Sequence, residues 1–177
     1  MPFSQRGCEV TGIDISAVRI EEAKQFFQEE RLSGNFFCQD IFTVKTNAKY
    51  NIIIIHDVIE HVLAKKRLLT IAANLLKSNG LIYVGFPPWQ MPFGGHQQIC
   101  HNRIISSLPF IHLLPGKAYK TLLKKIGVNR RTIDELMEIK DCRTTIEYLK
   151  KLVKEIDLTQ LGETYYLINH TMRASLD

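Results

Sequence analysis

The stretch YNIIIIHDVIEH, residues 50–61, joins a run of four isoleucines to a cluster of acids and histidines. An apolar run without polar alternation is typical of a strand covered on both faces, as in a parallel sheet between helices. The polar residues that follow then lie at the carboxyl end of the strand, where open α/β sheets bind ligands. This stretch therefore predicts an α/β fold with a binding site that begins at about residue 56.

The segments on either side repeat the alternation of strand and helix. In chain order we predict a strand at 9–15, a helix from its N-cap Ser16 to about 31, a strand at 35–38, a helix at 65–77 stopped by Asn79-Gly80, and a strand at 81–86. The first of these helices is expected to face the sheet with Val18, Ala23, Phe26 and Phe27. Such alternation is the pattern of a doubly wound, mostly parallel sheet.

The second half of the chain has a different character. Residues 89–115 are rich in proline, glycine, histidine and aromatics and predict an irregular cap. Helices are expected at 118–126, 133–139 and 145–156, the last two opened by capping boxes at Thr132 and Thr144, and a late strand at 165–168. We expect a single domain made of a core (1–88), a cap and helical region (89–160), and the late strand with a tail (161–177).

Composition narrows the class of protein. The 177 residues are 45% hydrophobic and 23% charged, which is ordinary globular composition, and no apolar run is long enough to cross a bilayer. The four cysteines form no C-x-x-C pair, which argues against a zinc ribbon, and a cytoplasmic location is the default expectation. The net charge of +5 sits mainly in the second half. Its lysines and arginines fit an anionic substrate, a membrane surface or simply a solvated helix face.

Three polar residues lie at or just after the carboxyl ends of predicted strands. Asp14 ends the first strand, where a carboxylate can accept hydroxyl protons from a ribose or can cap the next helix. Asp40 follows the second strand, and His56 follows the isoleucine run. If all three strands are parallel, these residues meet at one edge of the sheet.

In the segments GCEVTGIDIS, FFCQDIF, YNIIIIHDVIEHV and LLKSNGLIYVGFP, the sequence resembles the class I S-adenosylmethionine-dependent methyltransferases over roughly residues 7–88. The resemblance implies a Rossmann-like fold with S-adenosylmethionine as cofactor. It makes Asp14 the ribose-binding acid with Ile15 against the adenine, and Asp40 the acid near the adenine amino group with Ile41 beside it. His56 then lies along the methionine part of the cofactor.

One family feature is missing from this stretch. The first strand and the glycine-rich turn of the family should precede the ribose acid by about 20 residues, and only 13 residues precede Asp14. We expect a sheet that lacks its first strand, a helical C-terminal cap, and a reading frame or clone shortened at its amino terminus.

The residue that acts as general base is expected to lie in the cap. His96, in the segment Phe93-Gly94-Gly95-His96, is the candidate general base for a hydroxyl acceptor, with His61 and His101 as weaker candidates. The alternative is that His96 is an ordinary polar loop residue. Asp57, Glu60 and His61 resemble the acid-acid-histidine cluster with which some O-methyltransferases hold a divalent cation, and these ligands would suit magnesium or manganese better than zinc. The same Glu-His pair is also frequent in family members without a metal, so no metal ligand is assigned.

The predicted function is methyl transfer from S-adenosylmethionine to a small or lipid-linked acceptor, with no nucleic acid partner and with possible contact with a membrane surface. Seven apolar residues of the cap either line the acceptor pocket or only pack the cap onto the core. They are Trp89, Met91, Phe93, Leu108, Phe110, Leu113 and Leu114. The alternatives are a non-catalytic relative that acts as a partner subunit and a nucleotide-binding oxidoreductase.

Overall fold

The computed structural model of the protein describes residues 2–100 and 102–166, and the chain forms two compact units, one up to Ala48 and one from Lys49 onward. The strands are β1 (Thr11–Asp14), β2 (Asn35–Cys38), β3 (Tyr50–His56) and β4 (Leu76–Gly85). The α-helices are α1 (Pro2–Gln5), α2 (Ala17–Glu29), α3 (Lys65–Asn74), α4 (Arg103–Ser107), α5 (Gly116–Lys125), α6 (Arg130–Cys142) and α7 (Ile146–Glu155). The predicted α/β class is confirmed.

The first unit is a βαβ arrangement. Strands β1 and β2 pair in parallel from Thr11 with Asn35 to Asp14 with Cys38, and α2 connects them. Ser16 caps α2 as predicted, since its hydroxyl accepts a hydrogen bond from the Arg19 amide at 3.4 Å.

The buried face of α2 differs from the predicted one. Ile20 and Phe27 are buried, and the Phe27 ring meets Phe36 edge to face at 4.7 Å, whereas Val18 and Phe26 are exposed. Residues 20 and 27 are seven positions apart and so share one helical stripe. The predicted set spread over too wide an arc of the helix to face one sheet.

In the second unit β3 and β4 also pair in parallel, but their boundaries correct the prediction. Helix α3 ends at Asn74, three residues early, and β4 begins at Leu76 rather than at residue 81. Tyr50 pairs with Leu76 and Ile52 with Leu81, so residues 77–80 form an irregularity within β4. Asn79, with φ of 63°, takes the left-handed conformation there and does not end the helix. The Tyr50 amide donates to the Leu75 carbonyl at 2.8 Å, so residues 75–76 already pair with β3. This pairing ends the helix before residue 79 is reached.

Strand β3 is covered on one face only. Ile55 is 6% exposed, but Ile52 and Ile54 are 43% and 52% exposed, against the prediction of burial on both faces. An unbroken apolar run therefore does not establish two covered faces.

The helical part of the second unit has its own core, centred on Tyr119, Leu123, Ile133 and Leu136. Helices α6 and α7 start with Asn129 and Thr145 as N-caps, which accept from the amides of Thr132 and Tyr148. The predicted capping boxes at Thr132 and Thr144 are therefore wrong. The N-cap of α6 lies three residues earlier, at Asn129, and that of α7 one residue later, at Thr145.

Two further predictions concern the surface and the chain end. Cys8 and Cys38 are exposed free thiols, and Cys100 and Cys142 are buried ones. Tyr165 and Tyr166 are exposed and carry no regular structure, and the rest of the predicted late strand lies outside the described residues. No helix among residues 2–100 and 102–166 is both long and apolar enough to cross a bilayer.

Candidate functional site

The carboxyl edge of the first unit brings Asp14 and Asp40 near each other. Asp14 pairs with Cys38 across the sheet, its carbonyl accepts from the Gln39 amide at 2.9 Å, and Asp40 is the next residue. Parallel strands that end together place both acids at the same edge, as the sequence predicts.

The Asp14 carboxylate already has local partners. Its Oδ1 accepts from the Ser16 amide at 2.7 Å, and its Oδ2 lies 3.8 Å from the Arg19 guanidinium. Asp14 therefore holds the amide of Ser16, but the N-cap of α2 is Ser16 itself and not Asp14 as weighed from the sequence. Ile15, which follows it, is 76% exposed and offers a bare apolar surface beside the acid.

Asp40 also makes a local bond, through Oδ1 to the Phe42 amide at 2.9 Å, and opens the 3₁₀ turn Ile41–Thr43. Ile41 is half-buried in this turn. The side chain of Asp40 remains on the exposed edge, with one carboxylate oxygen engaged by its own turn.

His56 ends β3 in the second unit. Its Nδ1 lies 3.1 Å from Asp57 Oδ2, and its ring stacks on Tyr83 with centroids 6.3 Å apart and planes 12° apart. Because His56 belongs to a different unit from Asp14 and Asp40, the joint contact of the three with one nucleoside stays a prediction.

The most unusual group in the second unit is formed by Glu60, His61 and His96. The first two lie on the 3₁₀ turn Ile59–His61, and His96 lies in the loop after β4. One ligand atom from each residue falls within 4.8 Å of the others, and the rings of His61 and His96 meet edge to face at 5.2 Å. We call these three residues the Glu60 cluster.

The Glu60 cluster contains buried polar atoms without a protein partner. Glu60 is 3% exposed, and neither of its carboxylate oxygens accepts a hydrogen bond from the residues that the structure describes; His61 Nε2 approaches Oε1 only to 3.8 Å. The Nε2 atom of His96 is also buried, with no hydrogen-bond partner among the described residues. A buried polar group without a partner costs on the order of 1–3 kcal/mol, so a ligand or an ion that supplied these partners would be stabilising.

Burial sets the protonation of this cluster. Loss of hydration raises the pKa of Glu60 to about 7, with Asp57 adding to the rise and Lys65 opposing it. Burial, reinforced by the neighbouring His61, lowers the pKa of His96 to about 4. His96 is therefore neutral at pH 7, with an unprotonated nitrogen available as a ligand.

These values change the interpretation of His96. A general base works best when its pKa lies near the working pH, and a pKa of about 4 makes a weak base. The Nε2 atom of His96 belongs to the cluster with Glu60. This position also fits a role as a metal ligand, the role of His96 as base stays a prediction, and His101 lies outside the described residues.

The glycines before His96 pack against the protein itself. A Cβ on Gly94 would lie 2.4 Å from the Pro88 carbonyl oxygen, and one on Gly95 would lie 2.1 Å from His112 Cβ. Close packing within the protein therefore explains both glycines without a ligand. They let the loop close tightly, which fixes where His96 points.

The cap residues considered for an acceptor pocket divide into two groups. Trp89, Met91 and Phe93 are half-buried. The exposed ones are Leu108, Phe110, Leu113 and Leu114. In α5 the apolar side, including Tyr119 and Leu123, packs into the helical core, so the basic residues of this helix form a solvated face.

Sequence reasoning named Glu60 and His61 in a possible metal cluster with Asp57, and named His96 separately as a candidate base. It did not join His96 to the other two. The contact between residues 60–61 and residue 96 was not visible, because 34 residues that include α3 and β4 separate them.

Comparison with known proteins adds to this geometry. The sequence model of a family described as a methyltransferase domain matches residues 4–125. The ubiquinone biosynthesis O-methyltransferase of Coxiella burnetii is 32% identical over 82 residues, which cover 46% of this chain and 35% of that protein. The enzyme of the same name from Rhodopseudomonas palustris is 32% identical over 83 residues, 47% of this chain and 33% of its own. The matched part thus spans about a third of these relatives.

Two solved structures share this fold. PKMT2 from Rickettsia typhi in complex with AdoHcy has a TM-score of 0.57 at 16% identity, covering 97% of this chain and 40% of that one. The plantazolicin methyltransferase BpumL in complex with a monoazolic desmethylPZN analog and SAH has a TM-score of 0.53 at 17% identity, covering 84% of this chain and 46% of that one. At these identities the likeness establishes the fold.

Proposed function

Because the chain belongs to the methyltransferase domain family, we propose that it takes part in the transfer of a methyl group from S-adenosylmethionine to an acceptor hydroxyl. The observation that carries the proposal is the match over residues 4–125, which includes the edge with Asp14 and Asp40 and the segment with His56 and Glu60.

For the cofactor, the proposed contacts are those of the exposed edge. Asp14 receives the ribose hydroxyls, Ile15 packs against the adenine, Asp40 and Ile41 lie beside its amino group, and His56 follows the methionine part. Two features support this arrangement: Asp14 and Asp40 lie at one edge, and Ile15 is a bare apolar surface next to an acid. To bind a ribose, Asp14 keeps its bond to Ser16 and exchanges the exposed Arg19 pair for hydroxyl protons.

We further propose that the Glu60 cluster holds a divalent cation. Donor atoms around an ion bound at about 2.1 Å lie about 3–4 Å apart, so only a small closure of the observed separations is needed. Two imidazoles and one carboxylate suit Mn²⁺ or Zn²⁺ better than Mg²⁺, which prefers oxygen ligands. A bound cation would satisfy the orphan atoms of Glu60 and His96 and supply Lewis-acid activation of an acceptor oxygen.

The acceptor is proposed as a small or lipid-linked molecule with a hydroxyl group. The Coxiella and Rhodopseudomonas relatives are O-methyltransferases, which supports an oxygen acceptor. The exposed apolar side chains at Leu108, Phe110 and Leu113 precede the lysine-rich face of α5, a combination that suits an amphipathic acceptor.

A non-catalytic role as a partner subunit is the second candidate. It is favoured by the local bonds that already occupy part of the Asp14 and Asp40 carboxylates. Calorimetry with S-adenosylhomocysteine separates the two. A methyltransferase binds the product with a micromolar dissociation constant, and the absence of heat at 1 mM ligand would leave only the partner role. Titration with NADH under the same conditions tests the oxidoreductase alternative, for which only nicotinamide cofactor should bind.

A further inference from the structure

The segment that ends α6 and begins α7 contacts both halves of the Glu60 cluster. It comprises residues 142–145 and is called here the α6–α7 junction. It lies beyond residue 125, where the family match ends. Any role of the junction in the site therefore comes from a part of the chain that the family model does not cover.

The first link runs through Lys65, whose side chain is buried at 2% exposure. Its Nζ donates to the Val62 carbonyl at 2.7 Å and to the Cys142 carbonyl at 3.0 Å. Val62 directly follows His61, so this ammonium ties the turn that carries Glu60 and His61 to the junction. Burying an ammonium is costly, and such a group is retained where its bonds hold something in place.

The second link runs through Thr144, which is buried. Its carbonyl accepts from the Trp89 amide at 2.8 Å, and its hydroxyl donates to the Ile59 carbonyl at 3.4 Å. Ile59 begins the turn that carries Glu60, and Trp89 begins the loop that leads to His96. One residue thus joins both segments.

A third set of bonds reaches the same loop. Lys140 Nζ donates to the His112 carbonyl at 2.6 Å, and His112 Nε2 donates to the Trp89 carbonyl at 2.9 Å. At the end of α6, Arg143 takes the left-handed conformation with φ of 39°, which turns the chain so that Thr144 faces the site. The start of the loop after β4 is therefore held from the end of α6 through both the amide and the carbonyl of Trp89.

We infer that Lys65 and Thr144 are positioning residues that hold Glu60 and His61 against His96. The alternative is that they only add tertiary stability. The two roles differ in what happens when a bond is removed from a protein that stays folded. A positioning role predicts separation of the two segments, whereas a stability role predicts a lower unfolding temperature with the cluster unchanged.

The test is the nuclear Overhauser effect between the His61 and His96 rings in histidine-labelled, metal-free protein. Their centroid distance of 5.2 Å predicts a clear signal in the unchanged chain. Lys65→Met removes both carbonyl bonds at nearly constant volume, and Thr144→Val removes only the hydroxyl bond. We expect loss of the signal in Lys65→Met and a weaker one in Thr144→Val.

Leu136→Ala is the matched control, because Leu136 is fully buried in the helical core, so its truncation lowers stability while removing none of the hydrogen bonds of Lys65 and Thr144. The signal should persist in this variant at a temperature where all variants are folded. An unchanged signal in both Lys65→Met and Thr144→Val, or its equal loss in Leu136→Ala, would overturn the inference. If Lys65→Met does not fold, Thr144→Val decides alone.

A second readout is Mn²⁺ affinity, and it rests on the cation site proposed above. Loss of a supporting residue around metal ligands weakens affinity by about 10–100-fold, which we expect for Lys65→Met and not for Leu136→Ala. Absence of Mn²⁺ binding in the unchanged chain would refute the cation site alone, because the ring signal tests the positioning role without any metal.

Discussion

The edge of the β1–β2 sheet and the Glu60 cluster present polar groups in opposite ways. At the edge, Asp14 and Asp40 each accept a backbone hydrogen bond from a residue two positions later and remain partly open to water. In the Glu60 cluster, both carboxylate oxygens of Glu60 and the Nε2 atom of His96 are buried without a hydrogen-bond partner among the described residues. The sheet edge is stable without a ligand, and a ligand there can replace water. The Glu60 cluster, in contrast, is stabilised when a ligand or an ion binds and supplies the missing partners. The following predictions test that difference.

The largest effect is expected at the cluster. Glu60→Ala removes its one carboxylate and should weaken Mn²⁺ binding at least about 100-fold, the upper range for changes around metal ligands. Isothermal calorimetry measures it. Glu155→Ala is the control, because Glu155 pairs with Lys66 on the surface and should leave Mn²⁺ binding intact. Equal Mn²⁺ affinity in Glu60→Ala and the unchanged chain would refute the cation site.

A smaller effect is expected at the edge. Asp14→Ala should weaken binding of S-adenosylhomocysteine by about 1–3 kcal/mol, the range for losing hydrogen bonds to a charged acceptor. Asp134→Ala serves as the control, since Asp134 is an exposed aspartate paired with Lys120 and Arg130. Unchanged affinity in Asp14→Ala would leave Asp14 with only its local hydrogen bond from the Ser16 amide.

Protonation of Glu60 gives a third prediction, for metal-free protein. Its pKa is about 7 in the folded state against 4.5 for an ordinary glutamate in water, so folding favours the neutral acid. This contribution to stability is full below about pH 4.5 and is lost as pH rises through 7. Glu60→Gln should therefore be more stable than the unchanged chain at pH 8 by about 1–2 kcal/mol, with little difference at pH 5. Urea unfolding in EDTA measures both, and a constant difference across this range would contradict the buried, unpaired state of Glu60.

The smallest effect concerns the cap next to Asp14. Ser16→Ala should lower the stability of the first unit by about 1 kcal/mol, because the Arg19 amide loses its acceptor. Hydrogen exchange of the α2 amides reports this loss, and Ser106→Ala at an exposed hydroxyl in the second unit should leave those amides unchanged.

Elements with local signals were predicted well from the sequence. The strand at 35–38 and the N-cap Ser16 lie where predicted, because two aromatic residues and a capping hydroxyl act within a few positions. The shift of the α3–β4 boundary depended on pairing with β3, which no local pattern contains. The predicted single domain, like the joint site of Asp14, Asp40 and His56, stays a prediction.

The candidate site was predictable only in part. Asp14, Asp40 and His56 follow from the rule that strand ends carry ligands. The Glu60 cluster depends on a loop held by Thr144 and by the Lys140–His112 bond, contacts between residues more than 25 positions apart. The pKa of His96, which argues against its predicted role as a base, follows from burial that sequence does not reveal.

The most direct test is a crystal structure of the protein with S-adenosylhomocysteine and MnCl₂, read at the manganese absorption edge. Our account predicts the ribose hydroxyls on the Asp14 carboxylate and an anomalous peak bound by Glu60, His61 and His96. A nucleoside placed away from Asp14, together with no manganese peak at the Glu60 cluster, would contradict it.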